Sequence, residues 1–443
     1  MINKINSILF LTVLIGMSIF YVFLPNEIVS LDEKRKLAEY QPLSFETYLN
    51  GKWSHGIDDF IDDHFPFRSR FISMAETFHA SKGIHLKDQE KLFIGKKKVE
   101  KGSEEDTTRA KIQLKVDFDE AYSGSLLILD GSVYPTGGGS QKMSRVFSAM
   151  LNEYAEKLKG RTRVLSAVAP LSSAFIPALK YRKYNTQNKE TLLAIKASLS
   201  NGAIFCDVFN ELDKHANEKM FFSTDHHWNA IGAYYAYVAF CRGAGFTPVD
   251  KNKMEKRIKY NFLGSLYQLT RDPSVKANPD TLVYFVPRVT TTAIRYNKNN
   301  YNNPTKANVF SHNSTGGNTY LTFLGGDAPL IKITTSVKNG KKAVLIKNSM
   351  GNAFAVYLIS HYEEVYVLDF RYSNHNLMDL IKENGINDLI FGLGMYGAMS
   401  QGTINMMRRL ATNNGVPKDK KPVKEPKPKK VAKPVKNDTI KEN

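Results

Sequence analysis

The chain has 443 residues, and 42% of them are apolar, which is enough for an extensive core and for two or three domains. Its net charge of +18 is uneven, because residues 413–443 alone contain ten lysines and only four acidic residues. The cysteine count, with only Cys206 and Cys241, excludes a fold held together by a disulfide framework. We expect two buried thiols, and the sequence leaves open whether they pair.

The N-terminus carries the clearest targeting pattern. Residues 5–26 contain no charged side chain, and residues 8–24 are almost wholly apolar. A run of this length is at the short end for a transmembrane helix, and the alternative is a cleaved signal peptide. Because no small-x-small cleavage motif precedes Pro25, we expect residues 1–26 to be an uncleaved anchor. Either interpretation places residues 26–443 outside the cytoplasm, at the cell surface or in the periplasm.

Residues 27–108 are predicted to form an N-terminal extracytoplasmic region. It is polar and of mixed charge up to about residue 60, and a proline then lies between aromatic residues. Phe71, Met74 and Phe78 have helical spacing. Residues 97–108 are charged and contain glycine, which predicts a loop or linker.

The segment 109–412 alternates between short apolar runs and longer amphipathic runs, as an α/β domain does. The predicted strands are 126–129, 163–169, 203–209, 343–346, 365–369 and 389–393. The predicted helices are 143–158, 229–240, 352–360, 376–383 and 401–410. Short strands between longer helices predict a mostly parallel central sheet that is covered on both faces.

Two segments depart from this alternation. Residues 260–340 are rich in Thr, Asn and Tyr, which predicts an irregular β-rich insertion. Residues 413–443 are rich in lysine and proline, which predicts a disordered tail. The basic tail would suit anionic glycans, cell-wall polymers or lipid head groups, and the alternative is a solvated tail without a dedicated partner.

A serine follows one of the predicted strands directly. Ser349 lies between the strand 343–346 and the helix 352–360, so its hydroxyl is expected at the carboxyl end of a parallel strand, where α/β sheets bind ligands. The backbone N–H groups after it suit a developing oxyanion, and Gly351 would let a substrate approach closely. The alternative is that Ser349 only caps its helix.

A base for such a serine is present in Asp225-His226-His227-Trp228, ahead of a predicted helix. A serine hydroxyl needs a base to take its proton, and the base needs a partner that fixes its tautomer. Asp225 and His227 supply both within three residues. Asp225 could instead be a helix cap, and the histidines could be loop residues or, with a distant acid, metal ligands. No second ligand pair at a metal-like spacing accompanies them, so we expect no metal site.

These motifs resemble the DHHW family, a group related to the alginate O-acetylation proteins of the SGNH-like acetyltransferase class. The resemblance covers nearly all of residues 30–400. It rests on Thr224-Asp225-His226-His227-Trp228-Asn229 with Gly232-Ala233, on Ile346-Lys347-Asn348-Ser349-Met350-Gly351-Asn352-Ala353-Phe354, on Leu324-Gly325-Gly326-Asp327 with Pro329-Leu330, on Asp369-Phe370-Arg371-Tyr372 and on Asp63-His64-Phe65-Pro66-Phe67-Arg68.

The resemblance implies an SGNH-hydrolase-like three-layer sandwich and a role for each residue of a triad. Asp225 would orient the imidazole, His227 would be the base and Ser349 the nucleophile, in the reverse of the usual SGNH order, as in circularly permuted relatives. His226 occupies a variable position and is the second choice. Many relatives have Asp or Gly immediately before the serine, where this chain has Asn348.

Three further residues are candidates for substrate or oxyanion binding. Arg371 could bind substrate or pair with Asp369. Asn352 could donate to the oxyanion or cap its helix, and Gly351 could give access to the serine. We expect the Trp228 ring to pack in the protein interior and not to bind a sugar.

The resemblance implies an extracytoplasmic O-acetyltransferase or acetylesterase that acts on a cell-surface polysaccharide. A membrane-bound O-acyltransferase would supply the acyl group, and no cofactor or nucleic-acid partner is expected. The alternative is a non-catalytic glycan-binding or polysaccharide-assembly scaffold with the same fold. These residues identify neither the acceptor sugar nor the acyl donor. They also do not distinguish acetyl transfer from hydrolysis.

Overall fold

The computed structural model describes the chain over most of its length. The described residues are 5–8, 10–12, 15–16, 29–30, 35–40, 42–68, 70–71, 74, 78, 91–94, 125–137, 139–200, 202–297 and 300–414.

The strands are numbered in chain order. They are β1 (Val29–Ser30), β2 (Arg35–Lys36), β3 (Lys91–Ile94), β4 (Ser125–Leu129), β5 (Ser132–Pro135), β6 (Arg163–Ala169), β7 (Ala203–Phe205), β8 (Glu255–Phe262), β9 (Asp280–Val286), β10 (Thr291–Asn297), β11 (Asn300–Ala307), β12 (Leu330–Thr335), β13 (Lys342–Lys347), β14 (Glu364–Asp369) and β15 (Asp388–Gly394).

The helices are numbered in the same way. They are α1 (Phe45–Leu49), α2 (Lys52–Asp63), α3 (Gln141–Lys157), α4 (Arg182–Ala197), α5 (Val208–Asp213), α6 (Ala230–Ala244), α7 (Ser265–Thr270), α8 (Pro273–Lys276), α9 (Gly351–Leu358), α10 (Leu377–Asn384), α11 (Met395–Ala398) and α12 (Gln401–Arg409). Short 3-10 helices lie at Ser172–Phe175, Leu179–Tyr181, Lys251–Lys253 and Gly316–Thr322.

The central sheet is large and mixed. Its order is β11-β10-β12-β14-β13-β15-β6-β7, in which β14 to β7 are parallel and β12, β10 and β11 continue the sheet antiparallel. The predicted α/β class is therefore confirmed, but the sheet is less parallel than expected. The reason is that part of the predicted β-rich insertion pairs with β14 and widens the sheet.

Helices cover both faces of the parallel strands. Successive residues of β13 alternate between faces: Leu345 packs with α6 and α9, while Val344 and Ile346 pack with α3, α10 and α12. Strands that are buried on both faces need continuous apolar runs, which β13 and β15 have. Burying one such aliphatic side chain contributes about 1.5–3 kcal/mol to folding.

Smaller antiparallel units surround this sheet. The predicted strand 126–129 is β4, and it pairs with β3 and β5 in a three-stranded sheet apart from the parallel strands. Because β3 lies in the predicted N-terminal region, strand pairing crosses the boundary predicted at residue 108. β8 and β9 form a separate two-stranded ribbon.

One predicted strand is too long. The strand predicted at 203–209 ends at Phe205, and α5 begins at Val208. The side chain of Asp207 accepts the N–H of Asn210 at 3.2 Å, so this residue caps a helix where an apolar strand was expected.

Three predictions concern the termini and the linker. Among the described residues, no helix combines the length and apolar character that a membrane crossing requires. Most of 1–26 and all of 97–108 lie outside the described residues, as does the predicted tail beyond residue 414.

Candidate active site

The candidate nucleophile lies in a tight turn at the carboxyl end of a central strand. β13 ends at Lys347, and α9 begins at Gly351, two residues after Ser349. Inside the turn, the Asn348 side-chain oxygen accepts the Met350 N–H at 3.2 Å. The Asn348 side chain therefore stabilises the turn by accepting a backbone N–H. The start of α9 has no side-chain cap, so the alternative that Ser349 is a helix cap is wrong.

The structure brings Ser349, His227 and Asp225 together. His227 Nε2 lies 2.9 Å from Ser349 Oγ, and His227 Nδ1 lies 2.5 Å from Asp225 Oδ1. Since a carboxylate only accepts, Nδ1 carries the proton and Nε2 is the acceptor for the serine hydroxyl. All three residues are at least nine-tenths buried. The hydrogen-bond chain is the one that a nucleophile, a base and an orienting group require.

Asp225 is held in its charged form. Burial alone would raise the pKa of its carboxyl, but His227, His226 and the Ser265 N–H together outweigh burial and lower the pKa below the ordinary range. The backbone N–H of Ser265 donates to Asp225 Oδ2 at 2.8 Å, and the backbone N–H of His227 donates to Oδ1 at 3.0 Å. Both oxygens are therefore satisfied, and the imidazole has a fixed partner.

A glycine permits this arrangement. A Cβ on Gly264 would lie 2.3 Å from the Cβ of Asp225 and 2.4 Å from its Oδ2. Only glycine lets the start of α7 approach the carboxylate closely enough for the Ser265 N–H bond. Sequence reasoning missed Gly264, because its contact is with a residue almost forty positions away.

Tyr320 is a second residue that sequence reasoning missed. Its ring stacks on His227 at a centroid distance of 3.8 Å and an interplanar angle of 9°, and its hydroxyl donates to the Ser349 carbonyl at 3.0 Å. Burial raises the pKa of Tyr320 well above its ordinary value, so the phenol stays a donor. Tyr320 touches both the base and the nucleophile's backbone, and nothing in its local sequence indicates it.

Trp228 links the Asp225–Trp228 segment to the turn that carries Ser349. Its Nε1–H donates to the Met350 carbonyl at 2.9 Å, and its ring is almost fully buried. The expected packing role is thus confirmed, with a directed hydrogen bond in addition. A buried carboxylate, Asp280, supports the same loop by accepting the backbone N–H groups of Ser223 and Thr224.

His226 contacts a different serine, Ser265. Its Nδ1 lies 2.7 Å from Ser265 Oγ. The possible ligand atoms of Asp225, His226 and His227 lie within 4.8 Å of one another, a spacing that could suit a metal ion. A metal on His227 would displace either its Asp225 bond or its Ser349 bond, so these positions fit the hydrogen-bonded chain better.

A buried network of ion pairs lies beside the serine turn. Lys347 Nζ donates to Asp327 at 2.5 Å and to Asp369 at 2.9 Å. Arg371 donates to Asp327 at 2.7 Å and contacts both oxygens of Asp369. Asn352 Nδ2 donates to Asp327 at 2.9 Å. Arg371 therefore makes the pair with Asp369 that its structural alternative predicted, and the helix-capping alternative for Asn352 is not observed.

The backbone around Gly351 differs from the expectation. A Cβ there would lie 2.5 Å from the Cβ of Lys347 and 2.6 Å from the Gly392 carbonyl, so this glycine lets α9 pack against the sheet. The N–H groups of Met350 and Gly351 already donate to Asn348, and that of Asn352 donates to the Ser349 carbonyl. These three amides serve the turn itself, because it is too tight to leave them free.

A profile of the DHHW protein family matches residues 74–368. The chain belongs to the DHHW family. The sequence of a DHHW family protein from Eubacterium siraeum, known from its crystal structure, is 30% identical to this chain. The alignment covers 67% of this chain and 96% of that protein's chain, and the two structures superpose with a TM-score of 0.57.

Two structures of Bacillus cereus PatB1 share the fold of this DHHW protein. One is 18% identical with a TM-score of 0.53, and the other, which carries a sulfonyl adduct, is 16% identical with a TM-score of 0.52. Each alignment covers 63% of this chain and 98% of the PatB1 chain. No protein with a curated description matches the chain.

Proposed function

We propose that this DHHW protein is an exported O-acetyltransferase or acetylesterase that acts on a cell-surface polysaccharide through Ser349, His227 and Asp225. The observation that carries the proposal is the unbroken chain from Ser349 Oγ through His227 to Asp225, with contacts of 2.9 Å and 2.5 Å. The oxygen of a serine hydroxyl is a poor nucleophile until a base accepts its proton, and this geometry supplies that base.

In the first half-reaction, Ser349 Oγ attacks the carbonyl carbon of an acetyl ester while His227 Nε2 takes the hydroxyl proton. The C–O bond to the donor alcohol then breaks, and His227 returns the proton to the departing oxygen. Asp225, which stays ionised, stabilises the imidazolium that forms between these steps. The second N–H of the Asn352 amide, whose nitrogen is positioned by Asp327, is a candidate donor to the transient oxyanion.

The second half-reaction decides between the two activities. A hydroxyl oxygen of the acceptor attacks the acetyl-serine, His227 takes its proton, and the proton returns to Ser349 Oγ as the serine leaves. When the acceptor is a sugar hydroxyl the product is an acetylated glycan, and when it is water the product is acetate. Arg371 and Lys347 hold Asp327, so they would act through Asn352 and not on the substrate directly.

The proposed location follows from the sequence. An anchor at residues 1–26 would hold the protein on the outer face of a membrane, where a membrane-bound O-acyltransferase could pass it acyl groups. A donor on that side has to be delivered across the membrane, because activated acetyl groups are made in the cytoplasm.

Substitution of the triad tests the proposal. Ser349→Ala and His227→Ala should each lower acetyl-ester turnover by several orders of magnitude, and the double variant should be little worse than either, because the residues act as one unit. Asp225→Asn should cost less, since Asp225 takes no proton in the reaction. His226→Ala, a matched histidine that faces Ser265, should cost least.

Chemical labelling separates the enzyme from a glycan-binding scaffold. A sulfonyl fluoride should modify Ser349, and the label should be absent from Ser349→Ala. Full turnover in folded Ser349→Ala, or an unlabelled wild-type protein that binds glycan, would leave the scaffold as the better description. Circular dichroism of each variant establishes that it is folded.

A further inference from the structure

An exposed aromatic side chain lies near the end of the two-stranded ribbon. Tyr260, in β8, is 67% exposed, and Asn261 beside it is exposed as well. Tyr260 shares the outward face of β8 with Ile258, which is 43% exposed. A single exposed apolar group is common on protein surfaces, so exposure by itself does not mark a site.

The backbone at this point is irregular. β8 and β9 pair regularly up to Lys259 opposite Leu282, and pairing resumes at Phe262 opposite Asp280. Two residues of β8, Tyr260 and Asn261, stand opposite one residue of β9, which is a β-bulge. Asn261 also has a φ of 60°, in the left-handed region that non-glycine residues rarely adopt. Bulges are frequent beside active sites, where they redirect a side chain.

Two routes connect this bulge to the triad. Along the chain, Tyr260 is four residues from Gly264, which contacts Asp225, and four extended residues span at most about 14 Å. Across space, β8 lies against the 3-10 helix Gly316–Thr322, whose Tyr320 stacks on His227. Tyr260 therefore lies on a strand that borders two of the residues packed around the triad, Gly264 and Tyr320.

We propose that Tyr260 and Asn261 form a subsite that binds one pyranose residue of the acceptor polysaccharide. The face of an aromatic ring is electron-rich, and the C–H groups on one face of a pyranose are weakly positive, so the two surfaces stack. The Asn261 amide can donate to and accept from the ring hydroxyls of the sugar. The subsite rests on the proposed function for its role, and it places a neighbouring residue of the same glycan chain toward Ser349.

Titration calorimetry on the full chain carrying Ser349→Ala tests the subsite without turnover. The probes are cellohexaose, chitohexaose and a mannuronate hexamer. We expect at least one of them to bind, and Tyr260→Ala to weaken that binding by about tenfold or more, while Tyr260→Trp stays within about threefold. Asn261→Gly removes the amide and keeps the left-handed backbone, so it should also weaken binding. Tyr48→Ala removes a tyrosine that is 62% exposed elsewhere and should change nothing.

The results distinguish the subsite from the enzyme. Equal affinity of Tyr260→Ala and its parent, or no binding of any of the three hexamers, overturns the subsite and leaves the triad untouched. Tyr260-dependent binding to phosphatidylglycerol vesicles in place of sugars would assign the residue to a membrane surface and would also overturn it. Conversely, a wild-type protein without acetyl-ester turnover overturns the enzyme, while Tyr260-dependent sugar binding would still stand.

Discussion

At the scale of single residues, each member of the triad is held from more than one side. The two carboxylate oxygens of Asp225 accept hydrogen bonds from different residues. His227 lies between Asp225 and Ser349, and the Tyr320 ring stacks on its imidazole. A site whose dipoles are already oriented has little reorganisation to perform when charge develops. The contacts around the triad are therefore as testable as the triad itself.

Replacement of Gly264 by alanine tests one such contact. Gly264→Ala should displace Asp225, because the new Cβ would lie 2.3 Å from the aspartate Cβ. We expect a loss of about 1–3 kcal/mol in unfolding free energy, as overpacking typically costs, together with lower acetyl-ester turnover. Urea denaturation and ester kinetics measure the two effects.

The matched control for this change is Gly402→Ala. The nearest atom to a Cβ at Gly402 is 3.8 Å away, and the residue lies within α12. Alanine there should be neutral or stabilising by up to about 1 kcal/mol. Equal behaviour of the two variants would show that Gly264 is not needed for the position of Asp225.

The sequence predicts the residues of the triad but not those that hold them. Asp225 and His227 are neighbours in the chain, and Ser349 follows a recognisable strand, so short-range patterns indicate them. Gly264, Asp280 and Tyr320 act through contacts with residues that are distant in the chain. Such contacts depend on how the elements pack, which a single sequence does not display.

At the scale of elements, the ends of two central strands and a loop meet in one ion network. Lys347 ends β13 and Asp369 ends β14, and both contact Asp327 or its partners. Burial would raise the pKa of Asp327, but Lys347 and Arg371 outweigh it and lower the pKa below its ordinary range. Breaking such a buried network by removing one charge is expected to be costly.

This network predicts a pH dependence of stability. An aspartate has a pKa of about 3.9 in the unfolded chain, and the folded pKa of Asp327 is lower, so the unfolded state binds more protons as the pH falls. The stabilisation is thus present above about pH 5 and decreases as the pH falls below about 4. Asp327→Asn should lose about 3–5 kcal/mol at neutral pH and show a smaller decrease in unfolding free energy between about pH 5 and 3.

Denaturant unfolding across this pH range measures the effect, with the exposed Asp213→Asn as the control. Asp213→Asn should leave both the stability at neutral pH and its pH dependence close to those of the wild type. An Asp327→Asn protein with the wild-type pH dependence would contradict the role given to the network.

The apolar pattern of the sequence predicts some strands of the central sheet better than others. The strands of the parallel half are predicted well, since β6, β13, β14 and β15 are continuous apolar runs that can only be buried. The sequence predicts an irregular β-rich insertion at about 260–340, and residues 291–335 of it supply three strands of the central sheet. Their polar and β-branched residues suit antiparallel strands at a sheet edge, where one face is more exposed to solvent. The pairing of β12 with β14 joins segments that are distant in the chain, and the alternation of apolar and polar residues does not predict it.

At the scale of the whole molecule, the two cysteines are free and buried, in agreement with the expectation of two buried thiols. Burial raises the pKa of Cys206 and of Cys241 to about 12 in each case. The thiolate is the reactive form, so both groups should be inert near neutral pH.

Alkylation should therefore depend on unfolding. Iodoacetamide at pH 8 should modify neither Cys206 nor Cys241 in the native protein and both after denaturation, as mass spectrometry can count. A reductant should leave the thermal midpoint unchanged. Modification of either cysteine in the folded protein would contradict the burial of its thiol.

The N-terminal segment remains a prediction. We expect residues 5–26 to stay attached to the exported protein, because the run is uncharged and lacks a cleavage motif. N-terminal sequencing of membrane-extracted protein measures this directly. A mature start between residues 20 and 35 would identify a signal peptide instead.

The hydrogen bond between Trp228 and Met350 gives the molecule an internal optical reporter. The chain has two tryptophans, and the other, Trp53, lies in α2. With Trp53→Phe, a single indole would emit, and its N–H is bonded to the residue next to Ser349. Any event that moves the serine turn, from acyl capture to loss of the fold, would then change the emission of that one ring without an added dye.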